Sequence, residues 1–255
     1  MLVRWVCALG LAAVLTAPAA GAPGVTVVYH GNCVVAGGIR AQDGTPAKAW
    51  DMWQEIYLTG APTWLGAHTH RGAECITAVY GVTSWWFAHG DRAPNAPPTI
   101  VPVAAGQTLY TRQDRVHTAG DVGPTLQAYL GIHLLEQGSD FNYPVVDPSA
   151  PPVVKTNSYS VFKSEMPNQV PSLGTVTIAN QVLRFVPHAA FAIPASPALG
   201  YYTVVAGGAT LLEKGVRTAM APGTTITVPR NTAVTITATM ATTLAATELI
   251  PGAHP

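Results

Sequence analysis

His68-Thr69-His70-Arg71-Gly72-Ala73-Glu74-Cys75-Ile76-Thr77-Ala78-Val79-Tyr80-Gly81 is the stretch that decides how this chain folds. In an extended strand alternate side chains point the same way. His68, His70 and Glu74 then share one face if the strand is regular, and Cys75 points away from it. Two imidazoles and a carboxylate on one face form a donor set for a first-row transition metal. His117, on a later strand, supplies a third imidazole. His68, His70, Glu74 and His117 are therefore the predicted metal ligands, with Glu74 also the candidate catalytic group.

The rest of the composition agrees with a β protein. Of 255 residues only 10% are charged, with Lys+Arg and Asp+Glu equal at 13 each. No basic field exists to attract nucleic acid, and no charge run to hold an anionic membrane. Gly (24) and Pro (22) punctuate short apolar runs rich in Val, Thr and Ile. That pattern predicts many short strands joined by tight turns. No segment keeps a 3.6-residue apolar period over three turns.

Residues 1–22 read as a secretory signal peptide. Arg4 gives the positive start and Val6 to Leu15 the apolar run. Ala17-Pro18-Ala19 and Ala20-Gly21-Ala22 offer cleavage patterns. An uncleaved anchor is the alternative. Cleavage predicts a secreted or periplasmic protein without an integral membrane span, and removes Cys7. Cys33 and Cys75 are left in an oxidising compartment, either as a disulfide or as two buried thiols.

Strands are expected near 24–36, 53–58, 65–80, 82–88, 100–103 and 125–135. A Pro-rich linker follows over 141–173, marked by Tyr143-Pro144, Asp147-Pro148 and Pro151-Pro152. Further strands follow near 174–185, 201–205, 209–213, 224–228 and 233–239. The expected organisation is an N-terminal barrel over 23–140, the linker, and a C-terminal barrel over 174–255.

The spacing resembles the cupin motifs. In the first, His-x-His, three residues, Glu, six residues and Gly match His68, His70, Glu74 and Gly81, while Pro62 stands where the leading Gly is usual. In the second, Gly106 and His117 fit, with Arg112, Asp114 and Asp121 at the places of Pro, Gly and Asn. The resemblance covers about residues 50 to 137. It implies an all-β chain of jelly-roll barrels and one divalent metal (Fe, Mn, Cu or Ni, with Zn an option) held by three His and one Glu. A degenerate second copy aligns Gly207 with Gly81 and Gly223 with Gly106. That puts Pro194, Ser196, Gly200 and Val234 at the ligand positions, so the second barrel is expected to be metal-free.

The architecture resembles quercetinase-type bicupins. It implies a dioxygenase-like oxidoreductase acting on a small organic, phenolic-type substrate. A Lewis-acid lyase or isomerase, an oxalate-type enzyme and a non-enzymatic binder of small ligands or metal are the alternatives. Cupins often pair through edge strands, so the resemblance allows a homodimer.

Trp64, Tyr80, Trp85, Trp86, Phe87 and Tyr110 read as core packing or as a wall for a flat substrate. Strand parity with Glu74 selects Trp86 as the lining candidate. Glu55, Tyr57, Arg71, Arg112, Asp114 and Asp121 read as solvated charges and polar groups or as partners of the site. His89 and His133 read as structural or surface histidines, and His30, His188 and His254 have no partner pattern.

Overall fold

Among the described residues every regular element is a β-strand. Burial alternates over 31–35, 190–193 and 234–238, while longer runs such as 127–135 are buried on both faces. The computed structural model describes residues 22–60, 63–88, 96–121, 126–154, 158–171 and 174–252. The expected signal peptide lies outside them apart from Ala22, as do Pro62, His89 and His254. No helix among them is long and apolar enough to cross a membrane.

The chain runs β1 (Val25–Val35), β2 (Ala49–Thr59), β3 (Thr63–Trp64), β4 (His68–Thr69), β5 (Gly72–Tyr80) and β6 (Val82–Phe87). It continues through β7 (Thr99–Ala104), β8 (Thr108–Thr111), β9 (His117–Asp121), β10 (Gln127–Glu136) and β11 (Tyr143–Pro144). The second half holds β12 (Ser158–Pro171), β13 (Val176–Phe185), β14 (Ala190–Ile193), β15 (Leu199–Ala206) and β16 (Ala209–Glu213). It ends with β17 (Val216–Met220), β18 (Thr225–Val228), β19 (Val234–Ala238) and β20 (Thr242–Pro251).

Two sheets form each barrel. The first barrel faces β12-β2-β10-β5-β8 with β11-β4-β9-β6-β7, and β3 pairs with β9. The second faces β1-β13-β20-β15-β18 with β14-β19-β16-β17. This is the expected pair of jelly rolls, but the boundaries need correcting. β1 belongs to the second barrel, paired antiparallel with β13 over its whole length. β12, inside the stretch expected to be a linker, pairs with β2 of the first barrel. The barrels thus exchange their first strands. The exchange follows from pairing partners distant in sequence, which local composition does not specify. The prolines of 141–171 still mark irregular backbone, but Val154 closes a bridge onto Trp64 and β11 pairs with β4.

The barrels meet through the sheets that hold β2 and β20. Cys33, Val35, Trp50, Met52 and Leu130 join Ile178, Tyr201 and Leu249 in one core that spans both. A buried polar chain crosses it. Gln54 Nε2 donates to Thr247 Oγ1 at 2.7 Å, and Thr203 Oγ1 donates to Gln54 Oε1 at 2.6 Å. Cys33 on β1 and Cys75 on β5 form a disulfide, so the exchanged strand is covalently tied to the first barrel.

The disulfide closes a loop with a sequence separation of 42. Restricting the unfolded chain over that span stabilises the fold by about 4 kcal/mol on the loop-entropy argument. Cys33→Ala with Cys75→Ala is expected to lower the urea unfolding free energy by about 2–4 kcal/mol. An unchanged midpoint would show that the tie between the barrels contributes nothing.

Candidate metal centre

One end of the first barrel gathers the polar side chains, and the pairing register explains why. On the inner face of one sheet, Trp53 of β2, His133 of β10, Glu74 of β5 and Thr111 of β8 lie in one cross-strand row. The next row is Glu55, Gly131, Ile76 and Leu109. On the facing sheet His117 of β9 is opposite both His68 of β4 and Phe87 of β6. The imidazoles of His68 and His117 therefore project toward the row that holds Glu74.

The expectation of one regular strand from His68 to Glu74 is wrong in its local geometry. β4 and β5 belong to opposite sheets, and the chain crosses between them at 70–71. Gly72 makes the crossing possible, because a Cβ there would collide with the Leu134 carbonyl. The crossing is pinned on both sides. Asp114 N–H donates to the His70 carbonyl at 2.9 Å, and Glu136 N–H to the Arg71 carbonyl at 2.8 Å. Asp114 occupies the motif position usual for Gly and has φ 59°. Asp tolerates this left-handed conformation better than most residues, so the turn before His117 survives the substitution.

Three backbone carbonyls orient the imidazoles. His68 Nδ1 lies 2.7 Å from the Gly66 carbonyl, His70 Nδ1 2.6 Å from that of Phe141, and His117 Nδ1 2.8 Å from that of Arg115. Carbonyls only accept, so each Nδ1 carries the hydrogen and each Nε2 presents a lone pair. His117 Nε2 stands 3.1 Å and His70 Nε2 3.9 Å from Glu74 Oε2. Ring centroids within the His68, His70 and His117 trio are 4.6–5.0 Å apart. Nε2 of His70 and His117 and Oε2 of Glu74 are buried without hydrogen-bond partners. Buried donors left in this state fit a bound cation. Two overlapping groups here could hold a metal ion: His68, His70 and His117, and His70, Glu74 and His133.

Burial also sets protonation. Desolvation pushes the His68 imidazole down to about 4, helped by the neighbouring His117, and drives His70 well below the ordinary histidine range. Burial alone would raise Glu74, but His133, His117 and His70 outweigh it and hold the carboxyl well below the usual carboxylate range. Near neutral pH His68 and His70 are thus unprotonated and Glu74 is ionised, as metal ligation requires.

His133 was expected to be structural or exposed. It is buried, and its Nε2 stands 3.6 Å from Glu74 Oε1 and 3.5 Å from Glu55 Oε1. It pairs directly across from Glu74, and no local signal in the sequence reveals that register. Unlike the other three, its Nδ1 has no hydrogen-bond partner. Glu55 and Asp121, read from the sequence as solvated charges or as partners of the site, are also buried. Tyr57 stacks on Tyr129, with centroids 5.6 Å apart, beside the site. Arg71 lies outside, 3.7 Å from Glu136 and over the Tyr143 ring, and Arg112 is exposed.

A cavity of about 480 Å³ opens onto the cluster, lined by the aromatic side chains Tyr57, Trp85, Tyr129 and Phe141 and by the carboxylates Glu55 and Glu74. The lining tryptophan is Trp85 and not Trp86. Trp85 lies 5.8 Å from the His117 ring, while Trp86 packs with Trp64 and Ala88 on the other face. The parity argument fails because Gly81, at φ 68°, turns the chain from one sheet into the other.

The second barrel keeps the turns and lacks the donors. Gly207 and Gly223 have φ 88° and 83°, like Gly81 and Gly106 at 68° and 86°. Its corresponding cavity, beside Pro194, Ser196 and Gly200, has only about 10 Å³. Tyr202 fills the place, donating to Glu248 Oε1 at 2.8 Å.

No family model matches the sequence, and no curated protein does. Solved structures do match. An oxalate decarboxylase superposes with a TM-score of 0.54 at 13% identity, over 91% of this chain and 78% of the other. The oxalate decarboxylase of Lactobacillus farciminis gives 0.53 at 11%, over 90% and 87%. The protein YhaK from Escherichia coli gives 0.51 at 9%, over 86% and 94%. At such identities the likeness shows the fold, a cupin fold in its two-barrel form.

His117→Ala is expected to weaken metal binding by at least about tenfold while the fold persists. Ser196→Ala and Val234→Ala should leave metal content unchanged. Full occupancy in His117→Ala, measured by elemental analysis, would remove His117 from the ligand set.

A pH dependence follows for the metal-free protein. Because folding holds His68 at about 4 against an ordinary 6.5, the unfolded chain takes up the proton first. The contribution is complete above about 6.5 and is lost as pH falls toward about 4. Glu74 acts in the same direction at lower pH. Urea midpoints should fall across this range, and His68→Ala should reduce the fall. A flat profile would contradict the burial argument.

Proposed function

We propose that this chain is an exported metal-dependent oxidoreductase of the dioxygenase-like kind, acting on a small, flat, phenolic substrate. The observation that carries the reading is the set of carbonyl-oriented imidazoles converging with Glu74 beside an aromatic-lined cavity. His68, His70, Glu74 and His117 would hold the ion. A redox-active Fe, Mn, Cu or Ni with positions left open would supply activation of the substrate and of dioxygen.

The chain's own residues handle the rest. The backbone carbonyls fix each ligand ring before any ligand arrives, which limits reorganisation on binding. Trp85, Tyr129 and Phe141 offer flat apolar surface for an aromatic ring and exclude water from the cavity. Among the described lining residues the carboxylates are Glu55 and Glu74, and none is Lys or Arg. Such a lining suits a neutral phenol better than a small dianion such as oxalate. This favours the dioxygenase-like reading, although the structures quoted above include oxalate decarboxylases.

Export is part of the proposal. The Cys33–Cys75 disulfide is of a kind that persists outside the cytosol, and it agrees with the signal-like residues 1–22.

The test is elemental analysis of protein expressed with its own leader, followed by oxygen uptake on a panel of phenols. About one Fe, Mn, Cu or Ni ion per chain with substrate-dependent oxygen consumption is the expected result. Zn with no oxygen uptake would replace the proposal with Lewis-acid chemistry. A tightly held phenol without turnover would make the chain a binding protein.

A further inference from the structure

Glu55 is a buried carboxylate that the metal cluster does not use. It sits on β2 directly across from Gly131 of β10. The missing side chain at 131 is what makes room for it. A Cβ at Gly131 would lie 3.4 Å from Glu55 Cγ and 3.3 Å from His133 Nε2. The glycine thus lets the Glu55 side chain and the His133 ring approach over one bare patch of sheet. Glu55 Oε1 stands 3.5 Å from His133 Nε2, too long for a good hydrogen bond. Both ring nitrogens of His133 are buried without a hydrogen-bond partner. Both side chains line the cavity.

A carboxylate only accepts hydrogen bonds, and a neutral imidazole can donate from Nε2. Side by side, they offer one acceptor and one donor to the same point in the cavity. A hydroxyl is a group that can use both at once, donating to Glu55 and accepting from His133. An ether oxygen can only accept. A buried acceptor without a donor is costly, so a site built this way discriminates strongly against an analogue lacking the O–H. His133 also lies within reach of an ion shared with His70 and Glu74, but its Nδ1 lacks the anchoring partner that metal-binding histidines nearly always have, which sets it apart from the predicted ligands.

We propose that Glu55, paired with His133 across Gly131, is the binding residue for a substrate hydroxyl, so that the cavity takes aromatic rings bearing two adjacent oxygens. One oxygen would face the metal cluster and the other, carrying its hydrogen, would face Glu55. This inference rests on the metal-centre reading for the first oxygen only.

The experiment uses the full chain loaded with zinc, which binds without turnover. Catechol, its monomethyl ether and its dimethyl ether are titrated against tryptophan fluorescence, with calorimetry as a check. The wild-type protein is expected to prefer catechol to the monomethyl ether, which keeps one O–H for the metal and lacks the second, by about tenfold or more. Glu55→Leu should collapse that preference to within about threefold while zinc content and the unfolding midpoint hold. Glu55→Gln, which keeps an acceptor without the charge, should fall between them and covers any misfolding of the leucine variant. Equal affinities in the wild type, no catechol binding at millimolar concentration, or a preference that survives in both variants would overturn the proposal. A protein that binds no zinc yet keeps the Glu55-dependent preference would support the hydroxyl site and overturn the metal reading instead.

Discussion

Three hydrogen bonds from imidazole Nδ1 to backbone carbonyls are the constraint on which the centre depends. Each acceptor belongs to a different segment: Gly66 ahead of β4, Phe141 after β10, and Arg115 ahead of β9. The rings are therefore held by the barrel and not by one another. If any of these segments shifts, an Nε2 lone pair leaves the point of convergence. The segment after β10 shows the coupling best. Phe141 accepts from His70 through its carbonyl, and its ring packs against His133 with centroids 4.5 Å apart. A stretch that composition marks as a linker thus becomes one wall of the cavity.

The second barrel contributes without donors of its own. Its sheet packs against the back of β2 and β10 through a shared core, and Gln54 is bonded across the junction. These are the strands whose inner faces carry Glu55 and His133. The strand exchange and the Cys33–Cys75 tie hold the same sheet. Among the described residues, the groups that could hold a metal all lie in the first barrel, and in the second Tyr202 and Glu248, hydrogen-bonded to each other, line a cavity of only about 10 Å³.

The sequence made the strand-rich class legible through Gly and Pro punctuation and short β-branched runs. The His-x-His…Glu and Gly…His motifs also pointed to His68, His70, Glu74 and His117, although the period-2 argument put β4 and β5, which lie in opposite sheets, on one strand. What it hid were relations across strands. His133 and Glu55 join the site only because β10 sits between β2 and β5 in a particular register. Trp85 replaces Trp86 because period-2 parity does not carry across Gly81 from one sheet into the other. The exchanged β1 and β12 were hidden for the same reason: each strand reads correctly by itself and pairs with a partner far away in the chain. Local periodicity reports which residues share a face. It does not report which faces meet.

X-ray absorption at the edge of the bound metal tests the central claim most directly. The account predicts a nitrogen and oxygen shell at about 2.0–2.2 Å with multiple scattering from three imidazoles. A shell containing sulfur, or fewer than two imidazoles, would contradict it.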